Sequence, residues 1–221
     1  MRLFHFRILA IVPILFTLAC NVASATVAIP DPVIDAPLAA AKGEQTAVLA
    51  GGCFWGVQAV YKHVRGVIDA KSGYCGGDAK SAEYEIVSSG STGHAESVMI
   101  KYDPSQISFG QLLKIFFSVA HNPTELNRQG PDIGTQYRSA IFCSTEEQKR
   151  IAGAYIDQLN NAKAFDRRIV TEVTTGKTFY QAEAYHQDYA ELHPDNPYIV
   201  AHDLPKLANL RKQFSNLYVK K

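Results

Sequence analysis

The sequence predicts an α/β (α+β) fold, a two-layer sandwich in which helices pack on a mixed β-sheet. Short runs of apolar and β-branched residues, typical of strands, alternate with longer segments whose apolar residues recur at helical spacing. The 221 residues are 47% hydrophobic and 19% charged, which suits one sizeable core. A formal net charge of +1 excludes the basic footprint typical of nucleic-acid-binding proteins. We therefore expect one domain over residues 46–221.

The first half of this domain is expected to contain three strands and two helices. Thr46 begins an apolar run that predicts a short buried strand, and Gly66 ends the helix that follows. Ser108 and Gln111 form the capping-box pattern that begins a second helix. The expected strands are 46–50, 67–72 and 94–103, and the expected helices are 54–64 and 109–120.

The second half is expected to add two strands and three helices. Ser144 and Glu147 predict the beginning of a helix, and Asn196-Pro197 breaks the chain before a last amphipathic helix. Two long polar loops, 76–93 and 121–137, interrupt the pattern, and loops of this length are often functional. The expected strands are 139–142 and 169–174, and the expected helices are 144–160, 181–192 and 204–217.

Cys53 lies in the stretch Gly51-Gly52-Cys53-Phe54-Trp55-Gly56, between the first expected strand and the first expected helix. The glycines allow a sharp turn and a close approach to a ligand, and the beginning of a helix favours a thiolate. Phe54 and Trp55 place an apolar wall beside the sulfur. A free cysteine is also often a small structural hydrophobe, so this stretch alone leaves both roles open.

Glu96 is a carboxylic acid on the apolar side of an expected strand. Because side chains alternate along a strand, Glu96 points with Val98 and Ile100 toward the core. A carboxylate there is costly unless it is paired, or unless a raised pKa keeps it protonated. The alternative is that Glu96 reaches solvent at the edge of a loop, since Glu is rarely fully buried.

Residues 1–25 have the layout of a secretory signal peptide. Arg2 and Arg7 precede an apolar run over 8–19, and Ala23-Ser24-Ala25 supplies a cleavage site of small residues. The apolar run is too short for a comfortable membrane span. We therefore expect an exported, periplasmic protein.

The residues next to the expected signal peptide bear on anchoring and on thiol chemistry. A lipid anchor on Cys20 is less favoured than a soluble protein, because Thr17 stands where such sites usually carry Leu. Residues 26–45, rich in Ala and Pro, are expected to form a flexible leader without core.

The number of cysteines after the expected signal peptide is odd, so at least one thiol is free. The remaining cysteines are Cys53, Cys75 and Cys143.

Three motifs stand in order along the chain: Gly52-Cys53-Phe54-Trp55-Gly56, Thr92-Gly93-His94-Ala95-Glu96 and Gly134-Thr135-Gln136-Tyr137-Arg138-Ser139. With Tyr185-His186-Gln187-Asp188-Tyr189, they resemble the A-type peptide-methionine sulfoxide reductases, which act on the S epimer at sulfur. The resemblance covers about residues 46–205, and we expect the ferredoxin-like form of the sandwich. It implies a thiol-dependent oxidoreductase that repairs oxidised exported proteins and also accepts free methionine sulfoxide.

The resemblance implies that Cys53 is the nucleophile and Glu96 the acid. Cys53 would attack the sulfoxide sulfur and become a sulfenic acid, the first stage of thiol oxidation. The sulfoxide oxygen must gain protons as the S–O bond breaks, and an apolar setting would keep Glu96 protonated for this purpose.

Five further residues match functional positions of the family. Tyr84 and Tyr137 match phenols that hydrogen-bond the sulfoxide oxygen. Asp132 matches an acidic residue near the amide of the bound substrate. Phe54 and Trp55 match the residues that hold the methyl group of the substrate. The resemblance thus implies catalytic roles for Tyr84, Tyr137 and Asp132 and substrate binding by the two aromatic residues.

The recycling of the sulfenic acid departs from the pattern of many relatives. No cysteine follows Cys143, and Ser88 stands where many relatives carry Cys. Cys75, flanked by glycines that permit movement, is the possible resolving cysteine, and Cys143 is expected to be structural. Otherwise an external, thioredoxin-like thiol reduces Cys53 directly.

No bound cofactor and no metal are expected, because no His/Cys cluster has zinc spacing and no Gly-rich phosphate loop follows a strand. The expected partners are oxidised proteins or peptides, free methionine sulfoxide and a thioredoxin-type reductant. Nucleic acid is not expected, and the protein is expected to be a monomer.

Two other functions are compatible with the sequence. Cys53 and His186 are the residue types of a Cys-His hydrolase, although this function lacks a third orienting residue and leaves Glu96 unexplained. A non-enzymatic exported domain that only binds oxidised methionine would keep its binding after Cys53→Ser.

Overall fold

The computed structural model describes residues 29–220, so the expected signal peptide over 1–25 lies outside the described residues. The strands of the described part are β1 (Gln45–Gly51), β2 (Val67–Cys75), β3 (Ala95–Tyr102), β4 (Arg128–Gln129), β5 (Asp132–Ile133), β6 (Ser139–Cys143), β7 (Glu172–Thr175) and β8 (Phe179–Gln181). Six of them form one sheet in the order β7-β6-β1-β3-β2-β8, and β4 pairs with β5 in a small ribbon.

The α-helices are α1 (Phe54–Lys62), α2 (Tyr84–Val87), α3 (Phe109–Ile115), α4 (Glu146–Asn161), α5 (Tyr189–Leu192) and α6 (Leu204–Gln213). A π-helical turn, Phe116–Ala120, continues α3, and a second one, Ile199–Asp203, leads into α6. Within residues 29–220, every helix is too short or too polar to cross a membrane.

The four central strands have ferredoxin-like connections. The chain passes from β1 through α1 to β2, and a long loop that contains α2 leads to β3. It then passes through α3 and the β4–β5 ribbon to β6. The resulting order, β6-β1-β3-β2, has antiparallel neighbours throughout. The edge strand β7 joins β6 in parallel, so the sheet is mixed. This arrangement confirms the predicted fold class.

Alternation along the strands divides the buried side chains between two faces of the sheet. On one face, Leu49 of β1 belongs to the main core together with Val57 of α1 and Leu112 of α3. On the other face, Val48 and Cys75 belong to a smaller apolar cluster. The helices α1 and α3 therefore cover only one of these faces, and Cys75 lies on the other.

Residues 29–44, expected to belong to the flexible leader over 26–45, instead lie against the domain in the described structure. Ile29 is buried in the main core, with 5% of its surface exposed. A carboxylate oxygen of Asp35 accepts a 2.8 Å hydrogen bond from the backbone N–H of Gly110 in α3. The Ala- and Pro-rich composition did not reveal these contacts because the partners are distant in sequence.

Several element boundaries differ from the prediction; for example, the last helix, expected over 204–217, ends at Gln213. The expected helix over 181–192 is wrong: this part contains the end of β8, a 3₁₀ turn and the short helix α5. Asp188, with φ of 60°, breaks any continuous helix there. Thr145 rather than Ser144 caps α4, because its hydroxyl accepts the N–H of Gln148 at 3.1 Å. The strand expected over 169–174 is β7, which begins only at Glu172.

Candidate active site

Cys53 lies at the junction of β1 and α1, as predicted. Gly52 turns the chain there with φ of +86°, a region that favours glycine. A Cβ on Gly52 would also lie 2.6 Å from the Cβ of Gln129, so a larger residue would not fit. Cys53 is the N-cap residue of the helix that begins at Phe54. The junction therefore holds the sulfur at the N-terminal end of α1.

The thiol of Cys53 is buried, and its pKa is raised well above the ordinary value. The largest cause is burial, followed by the negative charges of Glu96 and Asp203. The backbone N–H of Trp55 and the charge of Lys206 lower the pKa without reversing this result. Loss of hydration therefore opposes the thiolate that the helix end is expected to favour.

Glu96 points from β3 into the same site, with only 4% of its surface exposed. Burial raises the pKa of this carboxyl to about 8, and the charge of Asp132 contributes in the same direction. One carboxyl oxygen, Oε2, accepts the backbone N–H of Phe54 at 3.0 Å, which lowers the pKa but only partly offsets the burial. Glu96 is therefore mainly protonated at neutral pH and can donate a proton.

One small cavity of about 190 Å³ joins these groups. It contains every residue predicted as catalytic or substrate-binding apart from the possible resolving cysteine. A larger depression of about 550 Å³, beside the end of α4, contains none of them. The residues that line the small cavity are Cys53, Phe54, Trp55, Tyr84, Glu96, Asp132, Tyr137 and Tyr198.

Three phenols line the cavity, and the two that the sequence predicted come from separate segments of the chain. Tyr84 begins α2, and Tyr137 ends a 3₁₀ turn before β6. Burial, then the charge of Glu96, raises the pKa of both phenols, so they remain protonated and can donate hydrogen bonds. Glu183 holds Tyr84 in place, because one of its carboxylate oxygens accepts the Tyr84 backbone N–H at 2.8 Å. The other oxygen accepts the hydroxyl of Tyr74 at 2.8 Å.

The aromatic wall of the cavity is held by residues after β8. Trp55 stacks on Tyr189 with ring centroids 3.8 Å apart, and its indole N–H donates to Nδ1 of His186 at 3.2 Å. Burial lowers the pKa of His186, which keeps this nitrogen available as an acceptor. No hydrogen bond joins His186 to Cys53 in the described structure. The Cys-His dyad that a hydrolase would need is therefore not formed.

Tyr198 is a lining residue that the sequence did not reveal. Its hydroxyl donates a short hydrogen bond to Oδ2 of Asp132, which lies in β5. The two residues are 66 positions apart, so spacing gave no sign of this pair. The only nearby signal was the break at Asn196-Pro197, which we interpreted as a boundary before the last helix.

The other two cysteines of the described chain are free and buried, and neither lines the cavity. Cys75 pairs with Ala95 in the sheet but lies on the face opposite to α1. Cys143 belongs to the main core at the end of β6, four residues beyond Ser139, the residue that pairs with Gly51. A disulfide between Cys53 and Cys75 would require one thiol to cross the sheet, so this geometry disfavours Cys75 as the resolving cysteine.

Residues 29–220 contain no cluster of three or more His, Cys, Asp or Glu side chains that could hold a metal ion. The groups that line the aromatic-walled cavity include a buried thiol, a protonated carboxyl and three phenols. This fold and this site define a class of protein, a thiol-based enzyme with its own proton donor.

Comparison with known proteins identifies the family within that class. The family described as PMSR, peptide methionine sulfoxide reductase, matches residues 45–218. The chain is 61% identical to peptide methionine sulfoxide reductase MsrA 2 of Mesorhizobium japonicum, over 82% of this chain and 93% of that protein. It is 56% identical to the protein of the same name from Synechocystis, over 85% of this chain and 89% of that protein. The chain therefore belongs to the peptide methionine sulfoxide reductase family.

Solved structures agree with this assignment. Mxr1 from Saccharomyces cerevisiae in its reduced form superposes with a TM-score of 0.62 at 32% identity, covering 73% of this chain and 91% of that one. Methionine sulfoxide reductase A of Corynebacterium diphtheriae gives a TM-score of 0.59 at 33% identity, covering 69% of this chain and 76% of that one.

Proposed function

We propose that this protein is a thiol-dependent oxidoreductase that reduces the S epimer of methionine sulfoxide, free or within proteins, to methionine. Family membership supports the reaction, and the motifs resemble the A-type enzymes, which act on this epimer. The observation that carries the proposal is the shared cavity of Cys53 and a protonated Glu96. A nucleophile and an acid are both needed at a sulfoxide, because its sulfur is attacked while its oxygen is protonated.

In the first half of the reaction, Cys53 releases its proton and its sulfur attacks the sulfoxide sulfur. Glu96 protonates the oxygen as the S–O bond breaks, and the proton released by Cys53 restores that of Glu96. The protonated oxygen then transfers to the Cys53 sulfur as a hydroxyl while the transient bond between the two sulfurs breaks, so the products are methionine and a sulfenic acid. The cysteine sulfur loses two electrons and the methionine sulfur gains them.

The remaining lining residues orient the substrate. The hydroxyls of Tyr84 and Tyr137 donate hydrogen bonds to the sulfoxide oxygen, which carries growing negative charge as the S–O bond breaks. Phe54 and Trp55 hold the methyl group, which is the apolar end of the reacting centre. Asp132, held by Tyr198, accepts from the backbone amide of the substrate.

An external thiol reductant of the thioredoxin type completes the cycle. Its first thiol forms a mixed disulfide with Cys53 and releases the sulfenic hydroxyl as water, and its second thiol frees Cys53. The position of Cys75 across the sheet and the burial of Cys143 in the core support an external rather than an internal route. No bound cofactor takes part in this cycle.

The protein acts as an exported monomer that repairs oxidised envelope proteins. The layout of residues 1–25 supports export. Recovery from a periplasmic fraction, with an N-terminus directly after Ala25, would test the expected cleavage. A lipid-bearing N-terminus at Cys20 would contradict it.

The activity is tested by turnover of separate S and R epimers of a methionine sulfoxide peptide with excess dithiothreitol. Dithiothreitol bypasses the natural reductant, so the first half of the reaction is measured directly. The expected result is reduction of the S epimer alone. Reduction of neither epimer, or hydrolysis of a thioester that depends on Cys53, would contradict the proposal.

A further inference from the structure

An ion pair between the fully buried Asp203 and the partly buried Lys206 lies against the first turn of α1, outside the set of residues that line the cavity. Gly56, three residues after Cys53, makes room for it. A Cβ on Gly56 would lie 2.0 Å from Oδ1 of Asp203 and 2.6 Å from Nζ of Lys206. The pair therefore occupies space that any side chain at position 56 would need. The carboxylate of Asp203 touches the same helix end that holds the thiol.

The pair is only partly satisfied by hydrogen bonds. Asp203 has no exposed surface, and its Oδ1 accepts from Nζ of Lys206 at 3.1 Å. Its second oxygen, Oδ2, has no hydrogen-bond partner within the described part of the chain. Burial raises the pKa of Asp203, while the contact with Lys206 lowers it. A buried carboxylate of this kind depends strongly on its cation, because an unbalanced buried charge is costly.

Charged groups reach the Cys53 thiol from several elements. Glu96 of β3 and Asp203 before α6 oppose a negative charge on the sulfur, whereas Lys206 of α6 favours it. Asp132 of β5 acts on both Glu96 and Asp203. The phenols that face the cavity are neutral; they are Tyr84, Tyr137 and Tyr198. Asp203 and the Cys53 thiolate are both anions, so the N-terminal end of α1 would stabilise either of them, and each would oppose the charge of the other.

We infer that Lys206 is a positioning residue for the reaction. It cancels the negative charge of Asp203, so the N-terminal end of α1 is available to stabilise the Cys53 thiolate. This inference rests on the proposed role of Cys53 as the nucleophile. Lys206 does not line the cavity, and it acts on the thiol only through the field at the helix end. The helix α6 packs on α1, which keeps the pair at this place.

The test is the rate at which iodoacetamide alkylates Cys53 between pH 6 and pH 10, followed by mass spectrometry of the Cys53 peptide. The K206M variant leaves Asp203 unbalanced, so the alkylation rate near pH 8 is expected to fall roughly tenfold, equivalent to about one pKa unit. K206R keeps the charge and is expected to stay near the wild-type rate. K212M, an exposed change on the same helix, is the matched control and is expected to change nothing.

The double variant D203N/K206M separates charge from packing. It removes both charges, so its alkylation profile is expected to return toward that of the wild type. A wild-type profile for K206M, or a double variant as slow as K206M, would overturn the inference. Thermal unfolding verifies that each variant is folded. If K206M does not fold, D203N is tested alone, and its Cys53 is expected to be alkylated faster than that of the wild type. Equal or slower alkylation of D203N would then overturn the inference.

Alkylation needs no sulfoxide, so its outcome is independent of the proposed activity. Turnover of the S epimer by the same variants is measured in parallel. Loss of activity in every variant and in the wild type would contradict the proposed function without changing the alkylation result.

Discussion

Cys53 and Cys75 are both buried thiols near the same end of the sheet, but they lie on opposite faces. Burial raises the pKa of Cys75 to about 12, and it also raises the pKa of Cys53. Cys75 lies in a small apolar cluster, whereas Cys53 lines a cavity together with Glu96. Burial and a raised pKa are therefore common to both cysteines. The difference lies in space for a substrate and in a proton donor beside the sulfur.

The largest expected effect comes from the thiol itself. Cys53→Ser is expected to lower S-epimer turnover with dithiothreitol by more than about 10³-fold, because the nucleophile of the proposed reaction is lost. Thermal unfolding of the variant should match that of the wild type, since Ser is nearly isosteric. Turnover within tenfold of the wild type would show that another group attacks the sulfoxide.

The next effect concerns the stability that depends on Glu96. Between about pH 4.5 and pH 8, the folded protein holds a proton on Glu96 that the unfolded chain releases. The free energy of unfolding should therefore fall with rising pH across this window, by roughly 1.4 kcal/mol per unit from this group. Glu96→Gln removes the contribution. Urea unfolding at several pH values measures this contribution. If the free energy of unfolding depended on pH in the same way for the variant and the wild type, the raised pKa of Glu96 would be contradicted.

A smaller loss of activity is expected from a phenol. Tyr137→Phe removes one donor to the sulfoxide oxygen, so turnover should fall about tenfold to a hundredfold. Tyr180→Phe, a change in β8 outside the cavity, is the matched control and should leave turnover unchanged. An equal effect of both changes would mean that Tyr137 acts through packing rather than through the oxygen.

The smallest effect is expected on the other face of the sheet. Cys75→Ala should leave turnover with thioredoxin unchanged and lower the free energy of unfolding by about 1 kcal/mol, as expected for a small loss of core packing. The comparison of thioredoxin with dithiothreitol is the informative measurement. A variant that works with dithiothreitol but stalls with thioredoxin would restore Cys75 as the resolving cysteine.

Local patterns in the sequence predicted most of the fold. The capping box of Ser108 and Gln111 is present with both of its hydrogen bonds, and strand alternation correctly turned Glu96 toward the core. These features depend on neighbours within a few residues. They can therefore be predicted from the sequence without knowledge of the tertiary structure.

Long-range contacts account for most of what the sequence did not predict. The hydrogen bond between Tyr198 and Asp132 joins distant loops, and the contact of Asp35 with α3 attaches a segment that composition alone suggested to be flexible. The raised pKa of Cys53 was missed for the same reason. Asp203 and the burial of the thiol come from tertiary packing, whereas the helix end is visible in the sequence.

The most direct test of the proposed chemistry is the pH dependence of a single turnover in the absence of reductant. Methionine formation by the wild type should rise up to about pH 8 and then level off, because the loss of the Glu96 proton offsets the growing thiolate fraction of Cys53. In Glu96→Gln the rate should be about 10² to 10⁴ times lower, and it should continue to rise above pH 8 with the thiolate fraction. An unchanged rate in the variant, or the same levelling off above pH 8, would contradict Glu96 as the proton donor.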